Sequence, residues 1–206
     1  MSGKNIKTTK HSGDPAVWWN MLPACWKMAF NEAILGREAT EKSPPEDALK
    51  SLQNISVLRF SGPRAPFPNM GFELSDLAGL EQLTRLEILI VTYQQLVSLK
   101  GIERLTGLKA LYLYNNSIED LSGLEKLDDL EELYIQNNNI SSLEPIRHLR
   151  SLRVLYCSGN ALTTLGGLTT AHNKTLRKFQ CLPNEYLPDY ELVRVKKSLG
   201  IRCLGG

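Results

Sequence analysis

The sequence predicts an α/β solenoid, in which short parallel strands form a curved sheet and short helices or 3₁₀ turns lie on its convex side. The first observation is a fixed repeat: 22 residues separate Leu108 from Leu130, and 22 more separate Leu130 from Leu152. The second is that the apolar spacing within each repeat changes from every second residue to every third, as expected for a strand followed by a helical turn. Self-similarity at such a short period is typical of solenoids, whose stacked repeats share one core.

The strand of each repeat is predicted by a Leu-x-x-Leu-x-Leu segment, such as residues 108–113. The last two leucines lie two residues apart, so both point to one face of the strand and the residue between them points to the other. A single repeat cannot bury its apolar face alone, and about six repeats are therefore expected to stack over residues 53–187. Their strand segments begin at Ile55, Leu86, Leu108, Leu130, Leu152 and Leu176.

An amide side chain follows nearly every predicted strand. The asparagine side chain has two hydrogen-bond donors and an acceptor, so it can satisfy backbone groups that are freed where the chain turns inward. We therefore interpret these side chains as a structural ladder and not as ligand contacts. The positions are Gln94, Asn116, Asn138, Asn160 and Asn184.

The first part of the chain is expected to be a flexible tail over residues 1–13, followed by a helical cap over residues 14–52. Asp14 is placed to cap the first helix, and Pro15 to occupy its first turn. Pro23 removes one helix hydrogen bond, which predicts either a kink or two short helices that meet there.

Both ends of the stack need a cover, because the outermost repeats would otherwise expose their apolar cores to water. All three tryptophans lie in the N-terminal segment and are expected to form that cover. The alternative is that they form an exposed aromatic docking patch. At the other end, residues 188–206 are expected to form a helical cap and a short tail, with Pro188 at the helix start and Gly200 at its end. The tryptophans are Trp18, Trp19 and Trp26.

Two segments depart from the regular period. From Ile55 to Leu86 there are 31 residues, nine more than the period, because of a proline-rich insertion at residues 62–71 that lacks the amide position. From Leu152 to Leu176 there are 24 residues, an expansion by two. Insertions that a regular scaffold tolerates are either inert or carry binding residues, and the sequence leaves both possibilities open.

These segments resemble the 22-residue class of leucine-rich repeats, over roughly residues 52 to 187. Similar repeats occur in a regulatory subunit of protein phosphatase 1, in an outer-arm dynein light chain and in the bacterial internalins. The resemblance implies that a partner binds the concave strand face. That face is predicted to carry a column of three tyrosines, and tyrosine is enriched at interface hot spots. An alternative reason for the column is that aromatic residues simply suit an exposed strand.

The predicted contact residues occupy four neighbouring columns of the concave face, and two further residues lie in the proline-rich insertion. The concave set is Ile90, Tyr93, Tyr112, Tyr114, Glu132, Tyr134, Gln136 and Tyr156. The possible loop contacts are Arg64 and Phe67.

The composition narrows the function classes. The formal net charge is +2, whereas a domain that binds nucleic acid mainly through phosphates is normally more basic, so nucleic acid is not expected as a partner. No stretch approaches the ~20 apolar residues that cross a bilayer, and no membrane contact is expected. Residues 1–14 contain no apolar segment typical of a signal peptide, which predicts a cytoplasmic location.

The sequence indicates no catalytic, cofactor or metal site. The four cysteines show no zinc-binding spacing, and the three histidines have no partner at the spacing of a known catalytic motif. Cys157 and Cys181 occupy the same core-facing position in neighbouring repeats. Adjacent strands lie close enough for a disulfide, but two buried, reduced thiols are the expectation.

The sequence therefore predicts a non-catalytic module that binds a protein partner, and no small-molecule substrate, through the concave face. The alternative is a regulatory subunit or structural adaptor that docks through its caps or through residues 62–71.

Overall fold

A computed structural model describes residues 14–204, and the tail predicted for residues 1–13 lies outside the described residues. Six parallel strands form one open sheet, and their order in the sheet is their order in the chain. This topology is the one that a solenoid requires, because each repeat adds a strand beside the previous one. The strands are β1 (Val57–Ser61), β2 (Ile88–Thr92), β3 (Ala110–Tyr112), β4 (Glu132–Tyr134), β5 (Val154–Tyr156) and β6 (Lys178–Gln180).

The strand register follows the repeat, including its two irregular steps. Tyr112 pairs with Tyr134 and Tyr134 with Tyr156, each at an offset of one period. Arg59 pairs with Ile90 across the longer first insertion. The inward leucines of the strands are fully buried in one continuous core, so the predicted curved parallel sheet is confirmed.

The N-terminal segment forms three short helices: α1 (Pro15–Met21), α2 (Ala24–Ala29), which runs on into one π turn, and α3 (Glu46–Gln53). The Asp14 carboxylate accepts a hydrogen bond from the Ala16 backbone N–H at 2.8 Å and caps α1 as predicted. Pro23 separates α1 from α2, so the prediction of two short helices is confirmed.

The three tryptophans are buried, and the alternative of an exposed docking patch is wrong. Trp26 packs edge-on against Phe60 of β1, with the ring centroids 5.3 Å apart. Phe30 contacts the same Phe60 ring at 5.6 Å. Aromatic rings bury a large apolar area in such edge-to-face contacts, which joins the helices to the core of the first repeat.

The convex side of the regular repeats carries single 3₁₀ turns, at Ile102–Arg104, Leu124–Lys126 and Glu144–Ile146, as predicted. The two-residue expansion before β6 forms a helix, α4 (Thr170–Thr175), that the periodicity did not predict. The last helix, α5 (Asp189–Arg194), runs into a π turn that ends at Gly200, whose φ of 72° is left-handed. Within residues 14–204 no helix is long and apolar enough to cross a membrane.

The predicted amide ladder is present and links each repeat to the one before it. The Asn138 side-chain oxygen accepts the backbone N–H of Ile118 at 3.0 Å, and its amide donates to the carbonyls of Leu113 and Ile135 at 3.0 and 3.1 Å. Asn160 makes the same bonds one repeat later. Buried backbone groups at the turns are satisfied in this way, so the ladder holds the spacing between strands.

Two irregular segments cover the outer edges of the sheet. At β1, where the sequence lacks the amide position, Asn69 of the insertion takes a related role: its side chain bonds the Ser61 N–H at 2.7 Å and the Arg59 carbonyl at 2.8 Å. At β6, the Leu204 N–H donates to the Phe179 carbonyl at 2.7 Å. The insertion is therefore part of the scaffold as well as a loop.

Replacing Asn138 with Ala should lower the free energy of unfolding by about 2 to 4 kcal/mol, because a backbone N–H and several carbonyls lose their buried partner. Urea denaturation measures this loss. The neighbouring Asn139 is exposed, and Asn139→Ala is a matched control that should stay within about 0.5 kcal/mol of the wild type. An equal loss in both variants would contradict the ladder.

The fold should also become less stable in mild acid through His172. This side chain is fully buried and its Nδ1 accepts the Thr169 N–H at 3.0 Å, so the folded state requires the neutral ring. Burial lowers the pKa of His172 below its ordinary value of 6.5. The unfolded chain therefore binds more protons below about pH 6.5, and the stabilisation is lost as pH falls through the folded pKa.

We expect His172→Gln to flatten the dependence of unfolding free energy on pH between about pH 7 and 5, as measured by urea denaturation. His148 is exposed, and His148→Gln should leave the wild-type slope intact. A slope that survives in the His172 variant would assign the acid sensitivity to another group.

Candidate functional site

The predicted tyrosine column is present on the solvent side of the sheet. Tyr112, Tyr134 and Tyr156 end strands β3, β4 and β5 and lie side by side in the register. The Tyr112 and Tyr134 rings are stacked, with centroids 4.5 Å apart and planes 8° apart. The Tyr156 ring meets Tyr134 edge-on at 5.0 Å. All three tyrosines are half-buried.

Strand alternation explains why these rings point outward. The residue before each tyrosine is a leucine that is completely buried in the core, at Leu111, Leu133 and Leu155. Successive side chains of a strand point to opposite faces, so burial of the leucines fixes the tyrosines on the concave side. The candidate site therefore lies on strands β3, β4 and β5, whose leucines are part of the core.

Glu132 lies beside this column and forms a hydrogen bond with one of its hydroxyls. The Tyr112 hydroxyl donates a hydrogen bond to the Glu132 carboxylate at 3.0 Å. Partial burial, and then this hydrogen bond, raise the pKa of Tyr112 to about 12. Burial and the charge of Glu132 also raise the pKa of Tyr134. Tyr112 and Tyr134 therefore remain neutral phenols across the physiological range of pH.

A second aromatic pair lies beside the column. The Tyr93 and Tyr114 rings meet edge-on at 5.8 Å. Tyr93 has a left-handed backbone with φ of 54°, and so do Asn115 and Asn137, which occupy the same position in the next two repeats. Asparagine visits this region readily, whereas a tyrosine there costs about 1 to 2 kcal/mol. The strain at Tyr93 therefore falls within the candidate site.

The proline-rich insertion contributes Arg64 to the rim of this face. Arg64 forms an ion pair with Glu73 at 2.7 Å. Together with Tyr93, Asn115 and Asn137 it lines an open polar cavity of about 420 Å³. The two asparagines were not predicted as site residues, although their alignment with Tyr93 in the repeat was a usable signal.

The other predicted contacts differ in their surroundings. Phe67 is 79% exposed at the tip of the insertion and does not line the cavity with Arg64. Ile90 is half-buried and lies in the register between Arg59 and Tyr112. Gln136 is half-buried, and its side-chain oxygen is buried without a hydrogen-bond partner among residues 14–204.

No cluster of histidine, cysteine and carboxylate side chains in the described part of the chain is arranged to hold a metal ion. Cys157 and Cys181 are buried free thiols in the core, as predicted. The concave face offers aromatic rings, amides and isolated charges, a combination suited to noncovalent recognition.

A family model described as leucine-rich repeats in two copies matches residues 106–148 and 128–170. These residues are leucine-rich repeats, and the fold is a leucine-rich repeat solenoid. No curated protein sequence matches it significantly. Leucine-rich repeat solenoids typically serve as protein-interaction modules on extended concave surfaces.

Solved leucine-rich repeat structures share its fold. The functional domain of InlJ from Listeria monocytogenes is 21% identical, with a TM-score of 0.64 over 85% of this chain and 34% of that one. A leucine-rich repeat protein of Leptospira interrogans is 25% identical, with a TM-score of 0.53 over 68% of this chain and 40% of that one. A plant peptide hormone receptor, RGFR1 in complex with RGF2, is 22% identical, with a TM-score of 0.50 over 69% and 27%. This leucine-rich repeat chain spans about half or less of the structures it matches.

Replacing Glu132 with Gln should lower the pKa of Tyr112 from its value of about 12, because the carboxylate no longer opposes the phenolate. The pKa should remain above 10, since burial is the larger cause and is unchanged. Ultraviolet absorbance of phenolate, followed against pH, measures the change. Glu131→Gln alters the adjacent carboxylate and should leave the titration as in the wild type. An identical curve for Glu132→Gln would show that the hydrogen bond does not form in solution.

Proposed function

We propose that this protein is a non-catalytic recognition module that binds a protein partner through the concave face of its repeat sheet. The observation that carries the proposal is the stacked pair Tyr112 and Tyr134, continued by Tyr156, on the solvent side of three central strands. Tyrosine supplies a wide apolar ring with a polar tip and loses little conformational entropy on contact. Such a column is well suited to an interface hot spot.

The mechanism is preorganisation. The tyrosines contact one another before any partner arrives, and the strands beneath them are fixed by buried leucines and the amide ladder. Because the rings are already ordered, binding loses little side-chain entropy, and more of the contact energy appears as affinity. The solved plant peptide hormone receptor that shares the fold is in complex with RGF2, which supports a peptide or protein ligand.

For the compartment we propose the cytoplasm. Cys157 is a buried free thiol and Cys25 a half-buried one. Free thiols persist most readily in a reducing compartment, which supports this location.

A second candidate is an adaptor that docks through residues 62–71. Phe67 favours it, because a phenylalanine that is 79% exposed at a loop tip loses apolar exposure when a partner covers it. The tryptophans of the N-terminal helices do not contribute to this alternative, since they are buried.

The test compares what immobilised variants capture from the lysate of the source organism, quantified by mass spectrometry. The variant Tyr112→Ala/Tyr134→Ala/Tyr156→Ala should capture at least about tenfold less of the partner than the wild type does. The substitutions leave the leucine core untouched, so the triple variant should fold. Circular dichroism checks that it does. The double variant Tyr186→Ala/Tyr190→Ala removes two exposed tyrosines outside the strands and should capture as the wild type does.

Undiminished capture by a folded triple variant would refute the concave-face proposal. Loss of capture in Phe67→Ala, with the triple variant still active, would favour the adaptor instead. Equal loss in the control pair Tyr186 and Tyr190 would point to nonspecific aromatic contacts.

A further inference from the structure

Two cysteines from distant parts of the chain meet at the outer edge of β6. The Cys181 and Cys203 sulfurs are 2.8 Å apart, and the Cys203 sulfur also accepts the Cys181 backbone N–H at 3.2 Å. The next residue, Leu204, pairs its N–H with the Phe179 carbonyl at 2.7 Å. The C-terminal segment is thus held against the strand with both thiols in contact, although neither is joined to the other.

The pair is accessible from one side. Cys181 is buried, whereas Cys203 is half-buried. Cys203 borders a shallow cavity of about 220 Å³, which is also lined by Lys196 and Arg202. Both cationic side chains are exposed, so the entrance to the thiol attracts small anionic reagents.

The two thiols differ in reactivity. The hydrogen bond from the Cys181 thiol, assisted by backbone N–H donors, lowers the pKa of Cys203 to about 7. The same hydrogen bond, and then burial, raise the pKa of Cys181. The thiolate is the nucleophile in disulfide exchange, so Cys203 is the attacking thiol and Cys181 the second, resolving thiol. Burial raises the pKa of the other two thiols, Cys25 and Cys157.

We propose that Cys203 and Cys181 form a thiol–disulfide exchange site for a small anionic disulfide such as oxidised glutathione, and that the resulting bond fastens the C-terminal segment to the last strand. The site lies at the C-terminal end of the solenoid, on the strand next to Tyr156, and Cys181 is buried on the core side of that strand.

The disulfide exchange proceeds in two displacement steps. The Cys203 thiolate attacks one sulfur of the small disulfide; a bond forms between them, the S–S bond of the reagent breaks, and one thiolate leaves with the electron pair. Cys181 then loses its proton to solvent and attacks the Cys203 sulfur, which releases the second small thiolate. Two protein thiols are oxidised by two electrons, the reagent is reduced to two thiols, and each leaving thiolate takes up a proton according to its own pKa.

The experiment treats the reduced full chain with oxidised glutathione at neutral pH and follows its intact mass. The wild type should lose two hydrogens and retain no glutathione. Trypsin should then yield one disulfide-linked species, joining the peptide of residues 179–194 to the peptide that begins at Cys203. The melting temperature should rise by roughly 5 to 10 °C, because the bond closes a loop around α5.

Single variants separate the two roles. Cys181→Ser should stop at a stable glutathione adduct on Cys203, whereas Cys203→Ser should show neither the adduct nor the internal bond. Cys25→Ser is the matched control, since Cys25 is likewise a half-buried free thiol, and this variant should oxidise as the wild type does. In the wild type, Cys203 should react about tenfold or more faster than Cys25.

Three outcomes would overturn the proposal. A wild-type mass that does not change shows that the pair is inert. A linkage of Cys157 to Cys181 places the bond between repeats instead. An oxidised protein that melts at the temperature of the reduced one shows that the bond does not fasten the segment. Because Cys181→Ser replaces a buried thiol, its fold is checked by circular dichroism, and Cys203→Ser provides the same test at a half-buried position.

Discussion

Everything in this structure depends on the contact of each repeat with its neighbours. No repeat has enough apolar surface to be stable alone, so the leucines of one coil are buried only when the next coil is in place. The amide ladder adds a directional element: Asn138 accepts from one repeat and donates to carbonyls of two. Apolar burial holds the coils together, and these hydrogen bonds fix how far apart they lie.

The regular part of this fold could be predicted because each repeat encodes its own geometry. The strand register, the buried leucines and the convex turns all follow from local spacing. The roles of Asn69 and Cys203 could not be predicted, because each meets a strand across a segment with no periodicity. Helix α4 was missed for a related reason: a two-residue expansion changes the backbone path without an apolar pattern to reveal it.

In the candidate site, too, some features could be predicted from the sequence and others could not. The outward direction of Tyr112 and Tyr134 follows from strand alternation, and their stacking follows from the register. The hydrogen bond of Tyr112 to Glu132 requires three dimensions, because it crosses from one repeat to the next. The left-handed backbone at Tyr93 is a third case: the alignment with Asn115 contained the signal, but tyrosine is not a residue that indicates this conformation.

The covered outer edges of the sheet have a consequence for association between molecules. An open parallel sheet normally offers two rows of free backbone groups on which a second chain can add a strand. In this protein Asn69 bonds the Ser61 N–H and the Arg59 carbonyl in one row, and Leu204 bonds the Phe179 carbonyl in the other. A second chain that added a strand at either edge would have to compete with these segments for the same backbone groups, which disfavours head-to-tail polymerisation.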